Sequence, residues 1–302
     1  MAHDKAILGP IAGATVLAPD LDAAVAPYLD YLGYRVLSKG TVSDEQAAVW
    51  NTPAHKGAAF KILGPESGER QWIRFVEAPP VPGYKAMTTF GWHSMEIGVA
   101  DVDAIPAKLK GSPFKHLAGP KNLGSTSSIR AMQVLGRAEE VLYLTQIPDD
   151  GSLPHLPIAK SFIDRIFIMP LGTPDMMKSR AWYMETFAQV EPGMVAPDIE
   201  LGLVTDAMGL PKGTKMGICT VKLGGQTLIE IDHYPPSAKA RPRNAGSLPP
   251  GIATVSFVTD SLDKVGLPFL AEPQVIAAAP YNGKRVGVTT GLAGELIELV
   301  EE

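Results

Sequence analysis

Arg130-Ala-Met-Gln-Val-Leu-Gly-Arg-Ala-Glu-Glu-Val-Leu-Tyr-Leu-Thr145 lies without a gap over Arg285-Val-Gly-Val-Thr-Thr-Gly-Leu-Ala-Gly-Glu-Leu-Ile-Glu-Leu-Val300. Arg130 meets Arg285, Gly136 meets Gly291, Ala138 meets Ala293 and Glu140 meets Glu295, every pair 155 positions apart. The same spacing carries Pro19-Asp20 and Tyr28 onto Pro174-Asp175 and Tyr183. Trp72-Ile-Arg-Phe-Val-Glu-Ala-Pro-Pro80 over Leu228-Ile-Glu-Ile-Asp-His-Tyr-Pro-Pro236 keeps it to within one residue. Chance could supply any one of these matches, but not their agreement on a single spacing. A duplicated unit of about 155 residues follows, and it constrains the fold before any motif does.

Each half divides again into an extended apolar stretch, an acidic or Pro-Asp cap, a short helix and three strands. In the first unit Ile11 to Leu17 is extended, Asp20 suits an N-cap, Leu21 to Leu32 is helix-compatible and Gly33 ends it. The second unit runs from Trp92 to Val99, then Asp101, a helix to about Lys110, and Gly111. The third has Ile163 to Met169, Pro174-Asp175 and a helix through Glu185; the fourth has Ile252 to Val258, Asp260, a very short helix and Gly266. Modules are therefore expected over about 8–80, 88–148, 160–236 and 250–302, grouped as domains 1–150 and 158–302. Asp149 to Pro157 reads as the link between the halves. Pro235 to Pro250, with the basic Lys239-Ala-Arg-Pro-Arg243, links units three and four, as a solvated loop or as a hold for an anionic substrate tail.

Composition bounds the function classes. A length of 302 residues allows two cores, and 45% hydrophobic with 20% charged residues is ordinary for a soluble protein. The net charge of −5 argues against a nucleic-acid surface, and no apolar run approaches the roughly 20 residues that span a bilayer. Met1 to Lys5 is not followed by a leader-type apolar core, so a cytoplasmic location is expected. The single Cys219, in the strand-like Met216 to Val221, is expected to be a buried, inert thiol.

Ala100-Asp-Val-Asp103, Pro19-Asp-Leu-Asp22 and the closing Gly294-Glu-Leu-Ile-Glu-Leu299, on top of the repeat, resemble the vicinal-oxygen-chelate superfamily of glyoxalases, bleomycin-resistance proteins and extradiol dioxygenases. The resemblance covers nearly the whole chain. It implies an α+β fold of four βαβββ modules paired into two half-open barrel domains. It also implies a small-molecule substrate with adjacent oxygens, isomerisation, lyase or ring-cleavage chemistry, and a divalent metal (Fe, Mn, Zn or Mg) held by a His in a first strand and a Glu in a last strand. Metal-free, ligand-sequestering members, often homodimers, supply the alternative function.

Tested residue by residue, the implied metal site is incomplete. Glu298 and Glu230 occupy last-strand ligand places, but Tyr143 and Arg74 stand there in the first half, and arginine offers only donors. The first-strand histidine places fall near Gly13, Ser94, Arg165 and Thr254. His93 lies one residue away, which puts it on the opposite strand face unless a bulge reverses it; it is kept as a metal ligand with Glu298. Alternation has Ser94, Glu96 and Gly98 facing a cavity, and Met95, Ile97 and Val99 facing a helix.

A second arrangement needs no metal. Arg74 and Glu96 would share the first-half cavity with Tyr143 as catalytic groups, while Arg165, Glu230 and Glu298 would bind substrate in the second. A guanidinium can hold two substrate oxygens and a carboxylate can move a proton. The same residues also fit plain interior ion pairs.

Overall fold

The computed structural model describes residues 6–123, 128–189 and 191–302; Met1 to Lys5, read above for a leader, lies outside them. Module one comprises β1 (Ile11–Ala18), α1 (Leu21–Asp30), β2 (Arg35–Thr41), α2 (Asp44–Val49), β3 (Ala59–Gly64) and β4 (Trp72–Glu77). Module two comprises β5 (Gly91–Trp92), β6 (Ser94–Val99), α3 (Ile105–Lys108), β7 (Lys115–Asn122), β8 (Arg130–Leu135) and β9 (Val141–Gln146). Module three has β10 (Ile163–Thr173), α4 (Met176–Thr186), β11 (Pro192–Ile199), α5 (Gly202–Met208), β12 (Met216–Leu223) and β13 (Thr227–His233). Module four has β14 (Gly251–Thr259), β15 (Gln274–Ile276), β16 (Lys284–Thr290) and β17 (Leu296–Glu301), with a single 3-10 turn, Leu262–Lys264, in place of a helix.

The caps lie where the acidic residues put them. Asp20 accepts from the Ala23 amide and Asp175 from the Lys178 amide, each satisfying a helix-start N–H that has no partner inside the helix. Asp101 accepts from the amides of Asp103 and Ala104.

Two curled sheets result, and each draws one module from each half of the sequence. The eight-stranded sheet runs β15-β16-β17-β14-β1-β4-β3-β2, and the other runs β11-β12-β13-β10-β6-β9-β8-β7. Within every module the first and last strands are parallel neighbours. Between modules the first strands pair antiparallel, β1 with β14 and β6 with β10. Modules one and four therefore share one trough, and modules two and three the other. This corrects the expectation that each half encloses its own cavity.

Alternation then sorts the side chains. Val16, Phe75, Met95, Ile97, Leu144, Ile231, Phe257 and Leu299 join one core shared by the backs of both sheets and by α1 and α4. The fronts carry separate apolar clusters around Trp50 and Trp72 in one trough, and around Tyr143 and Tyr234 in the other.

The repeated Gly and Glu of the opening segment form one device. Glu140 accepts from the Tyr28 hydroxyl at 3.0 Å and the Ala138 amide at 2.8 Å; Glu295 accepts from Tyr183 and Ala293, both at 2.8 Å. A Cβ on Gly136 or Gly291 would stand 1.8 or 2.0 Å from a carboxylate oxygen, so glycine is what leaves room for the acid. Because Tyr28 lies on α1 of module one and Glu140 in the β8–β9 turn of module two, with Tyr183 and Glu295 likewise in modules three and four, this contact ties the two modules of each half together.

Burial pushes both carboxyls up to about 7 against the partly opposing hydrogen bonds. A carboxyl with a raised folded-state pKa favours the fold most below its unfolded pKa of 4.5, and that contribution is lost as pH rises through 7. At each site about 3 kcal/mol is at stake. Glutamine imitates the protonated acid, accepting from the alanine amide and donating to the tyrosine oxygen. The double substitution Glu140→Gln/Glu295→Gln should therefore flatten the decline in unfolding free energy between pH 4.5 and 7.5, measured by urea titration. An unchanged slope would assign that decline to other groups.

Candidate functional site

The first trough is built on the β1–β4 and β14–β17 pairs, which set Thr15 beside Arg74 and Ser256 beside Glu298. The Arg74 guanidinium, 2% exposed, donates twice to Thr15 Oγ1 (3.1 and 2.8 Å) and once to Gln46 Oε1 (3.3 Å), and lies 3.5 Å from Glu298 Oε1. It is packed among the rings of Trp50, Trp72 and Tyr281 at 4.7, 5.1 and 5.3 Å. Glu298 accepts from Trp50 Nε1 (2.8 Å), Ser256 Oγ (2.5 Å) and Tyr281 Oη (2.8 Å). With Arg74 as the fourth neighbour, Oε1 is fully engaged and Oε2 holds the Trp50 indole. A cation placed here would meet a guanidinium where it needs a lone pair, so Glu298 is not available as a metal ligand. Arg74 is correspondingly a partner of Glu298 and not of Glu96.

The second trough is different in kind. Glu96 on β6 stands beside Tyr143 on β9, and Glu230 on β13 stands beside Pro170 on β10. Glu96 is buried and accepts from Thr145 Oγ1 at 2.6 Å. Burial, with the charge of Asp232 added, pushes its carboxyl up to about 7 although the Thr145 bond pulls the other way. Glu230 is half-buried, and its carboxyl is held well above the usual range by loss of water first, then by the charges of Asp232 and Glu96. Asp232, two residues along the same strand face, lies with Oδ2 3.0 Å from His93 Nε2. Ser94 Oγ lies 3.1 Å from His93 Nδ1, an arrangement that suits the Nε2–H tautomer with Ser94 donating. The His93 ring stands 6.2 Å from that of Tyr143 and 5.1 Å from that of Tyr234.

Several buried polar atoms here have no hydrogen-bond partner among the described residues: Tyr143 Oη, Asp232 Oδ1 and both amide atoms of Gln133, the residue opposite Tyr143 on β8. Burial first, then the neighbouring acids, holds the Tyr143 phenol far above its ordinary pKa, so it remains a donor. Of the atoms named in the first trough, only Gln46 Nε2 is in the same position. An unpaired buried polar group costs about 1–3 kcal/mol, so four in one trough call for a reason.

The expected site residues are thus redistributed. Ser94 and Glu96 face the trough, and Met95, Ile97 and Val99 face the core, as alternation requires. His93 also faces the trough, because the backbone is interrupted between β5 and β6 and the register slips there. Arg165 does not join Glu230 or Glu298. It lies where β10 and β6 shift register, donates to the Gly225 carbonyl at 3.0 Å and stands 3.6 Å from Glu69. Within the basic linker, Lys239 and Arg243 are exposed, while half-buried Arg241 donates to the carbonyls of Trp92 (2.6 Å) and Ile252 (2.9 Å), stitching that linker to β5 and β14. Cys219 is fully buried and its thiol is pushed up to about 12, mainly by burial, which makes it inert. Sequence reasoning missed Asp232 and Gln133; the first could have been found by carrying the two-residue strand period on from Glu230.

Among the described residues no three His, Cys, Asp or Glu side chains converge as a metal site would require. His93, the expected ligand, spends both ring nitrogens on Asp232 and Ser94. The donor geometry thus does not fit a resident ion.

Among the described residues no helix is long and apolar enough to cross a membrane. No protein-family model matches the sequence, and no curated protein matches it either. Solved structures do. Glyoxalase I from Zea mays superposes with a TM-score of 0.64 at 16% identity, over 97% of this chain and 92% of that one. A mutant of the same maize enzyme gives 0.63 at 17%, over 97% and 92%. A candidate dioxygenase from Bacillus subtilis gives 0.64 at 9%, over 98% and 86%. Four modules, two curled sheets and these superpositions together give this chain the fold of the vicinal-oxygen-chelate superfamily.

Proposed function

We propose that the second trough binds a small organic molecule with adjacent oxygens and that Glu96 moves a proton on it. The observation that carries this reading is the contrast between the troughs. On equivalent strands one trough pairs its glutamate with an arginine, while the other leaves donors and acceptors unpaired around a carboxyl raised to about 7.

In this reading Tyr143 Oη and the Gln133 amide nitrogen donate to a substrate carbonyl or hydroxyl oxygen. Gln133 Oε1 and Asp232 Oδ1 accept from a neighbouring hydroxyl. Ionised Glu96 takes a proton from the atom beside the polarised oxygen, the step that isomerisation and lyase reactions share. In an isomerisation it returns the proton to an adjacent atom, and in a lyase reaction the electron pair expels a leaving group that takes the proton from Glu96. The charge of Asp232 helps burial to hold the Glu96 carboxyl up to about 7, and the His93–Asp232 pair fixes the trough wall. No step runs through a metal. The vicinal-oxygen-chelate type of enzyme is thus the leading reading. The apolar roof of Met87, Val204 and Met216 over Tyr143 also suits ligand sequestration without turnover.

Two outcomes test the assignment. A panel of α-hydroxy ketones, vicinal dicarbonyls and catechols, tested by thermal shift and then by turnover, should contain a ligand for the wild type. Its kcat/KM should rise with pH through about 7, as Glu96 ionises, and fall by about 10²–10⁴ in Glu96→Gln. Equal turnover in that variant would remove Glu96 from the chemistry, and binding with no turnover would favour sequestration.

In the ligand-free protein, Tyr143→Phe or Gln133→Leu should raise unfolding stability by about 1 kcal/mol, because each deletes an unpaired buried group. Each should weaken ligand binding at the same time. Loss of stability in both would mean that these groups serve the fold.

A further inference from the structure

A cleft of about 500 Å³ opens away from both troughs' ion pairs, between the end of β1, the strap 78–90 and the turn joining β8 to β9. Its floor is apolar, made by Leu17, Ala78, Leu135 and Ala138, with Pro79 and Pro80 along one side. Lys85, Lys115 and Arg137 stand at its edge. Among the described residues none of the three has a carboxylate partner, whereas Lys61, Lys121, Arg130 and Lys160 are all paired. One acid, Glu139, also lines the cleft, so the balance is two positive charges in a chain whose net charge is −5.

The duplication supplies an internal control. The turn Gly136-Arg-Ala-Glu-Glu140 corresponds to Gly291-Leu-Ala-Gly-Glu295. Glycine, alanine and the final buried glutamate are common to both, since they build the tyrosine contact. The two positions that differ are Arg137 against Leu292 and Glu139 against Gly294, and both first-half residues line the cleft. Position 139 has φ 60°, the left-handed region that Gly294 enters at φ 81° without penalty. A side chain is therefore carried where the fold alone would take glycine. It is used: Glu139 Oε2 accepts from the Ala86 amide at 3.3 Å, which fastens the strap bearing Tyr84 and Lys85 to the turn bearing Arg137. The residue after Ala86, Met87, is itself at φ 63°.

We propose that this cleft binds a small amphipathic anion, an alkyl carboxylate or alkyl phosphate, with its tail on the Leu17–Leu135 floor and its head between Lys115, Arg137 and Lys85. Glu139 is a positioning residue that holds the strap as the second wall. The chemistry follows from the lining: an apolar floor favours a hydrocarbon, and unpaired cations favour a negative head over a neutral one.

Calorimetric titration of the full chain with octanoate and with octyl phosphate tests this, using octanol as the headless control and acetate and inorganic phosphate as tailless ones. At least one of the two amphiphiles should bind saturably with 1:1 stoichiometry, more weakly in high salt, and the tighter of them identifies the head group. Arg137→Leu, which copies the second-half turn, and Lys115→Ala should each weaken binding about fivefold. Together they should weaken it roughly 20-fold, and both side chains are exposed, so the melting temperature should not change. Octanol or the tailless anions binding as tightly as the amphiphiles would overturn the proposal. So would the absence of saturable binding, or undiminished affinity in the double variant.

Discussion

The antiparallel pairing of first strands, β1 with β14 and β6 with β10, is the constraint on which everything else in this molecule depends. A single βαβββ module exposes one edge of its first strand, and unpaired backbone N–H and C=O groups there must find partners. Duplication provides four such edges. Joining them across the halves makes two continuous sheets and lets the two curled backs share one core. Each trough is thereby assembled from residues far apart in the sequence: Arg74 with Glu298 in one, Glu96 with Glu230 and Asp232 in the other.

On that common frame the troughs have taken opposite electrostatic solutions. A buried carboxylate costs several kcal/mol unless it is neutralised or fully hydrogen-bonded. Glu298 meets this with an arginine, an indole N–H, a serine and a tyrosine, and its charge is paired inside the fold. Among the described residues Glu96 and Glu230 have no cationic partner, and their proton affinities rise instead. The unpaired phenol, amide and carboxylate atoms around them are destabilising in the empty fold. The polar guest proposed for this trough would supply their hydrogen bonds. This asymmetry separates a structural centre from a candidate active centre without reference to any relative.

Much of this was legible in the sequence. The 155-residue spacing located the modules, Asp20 and Asp175 fixed helix starts, and the period of two aimed Glu96 inward and Ile97 at the core. The pairing of modules was not legible. Alternation says which face a residue occupies, but four similar first strands do not say which is whose neighbour, so Arg74 and Glu96 were grouped by half. His93 defied its register because a break between short strands is decided by three-dimensional fit and not by pattern. Arg165 was misplaced for the same reason, at a register shift in β10. Asp232 escaped notice because Glu230, on the same strand face, is the residue that matches the superfamily's ligand place.

The central claim, that the halves interleave so that Arg74 faces Glu298, is tested most directly by two double-mutant cycles on unfolding free energy. One removes Arg74 and Glu298 singly and together, and the other does so with Arg74 and Glu96. The interleaved arrangement predicts a coupling of about 1–3 kcal/mol for the first pair and about zero for the second. Coupling confined to Arg74 and Glu96 would contradict it and return each cavity to its own half of the chain.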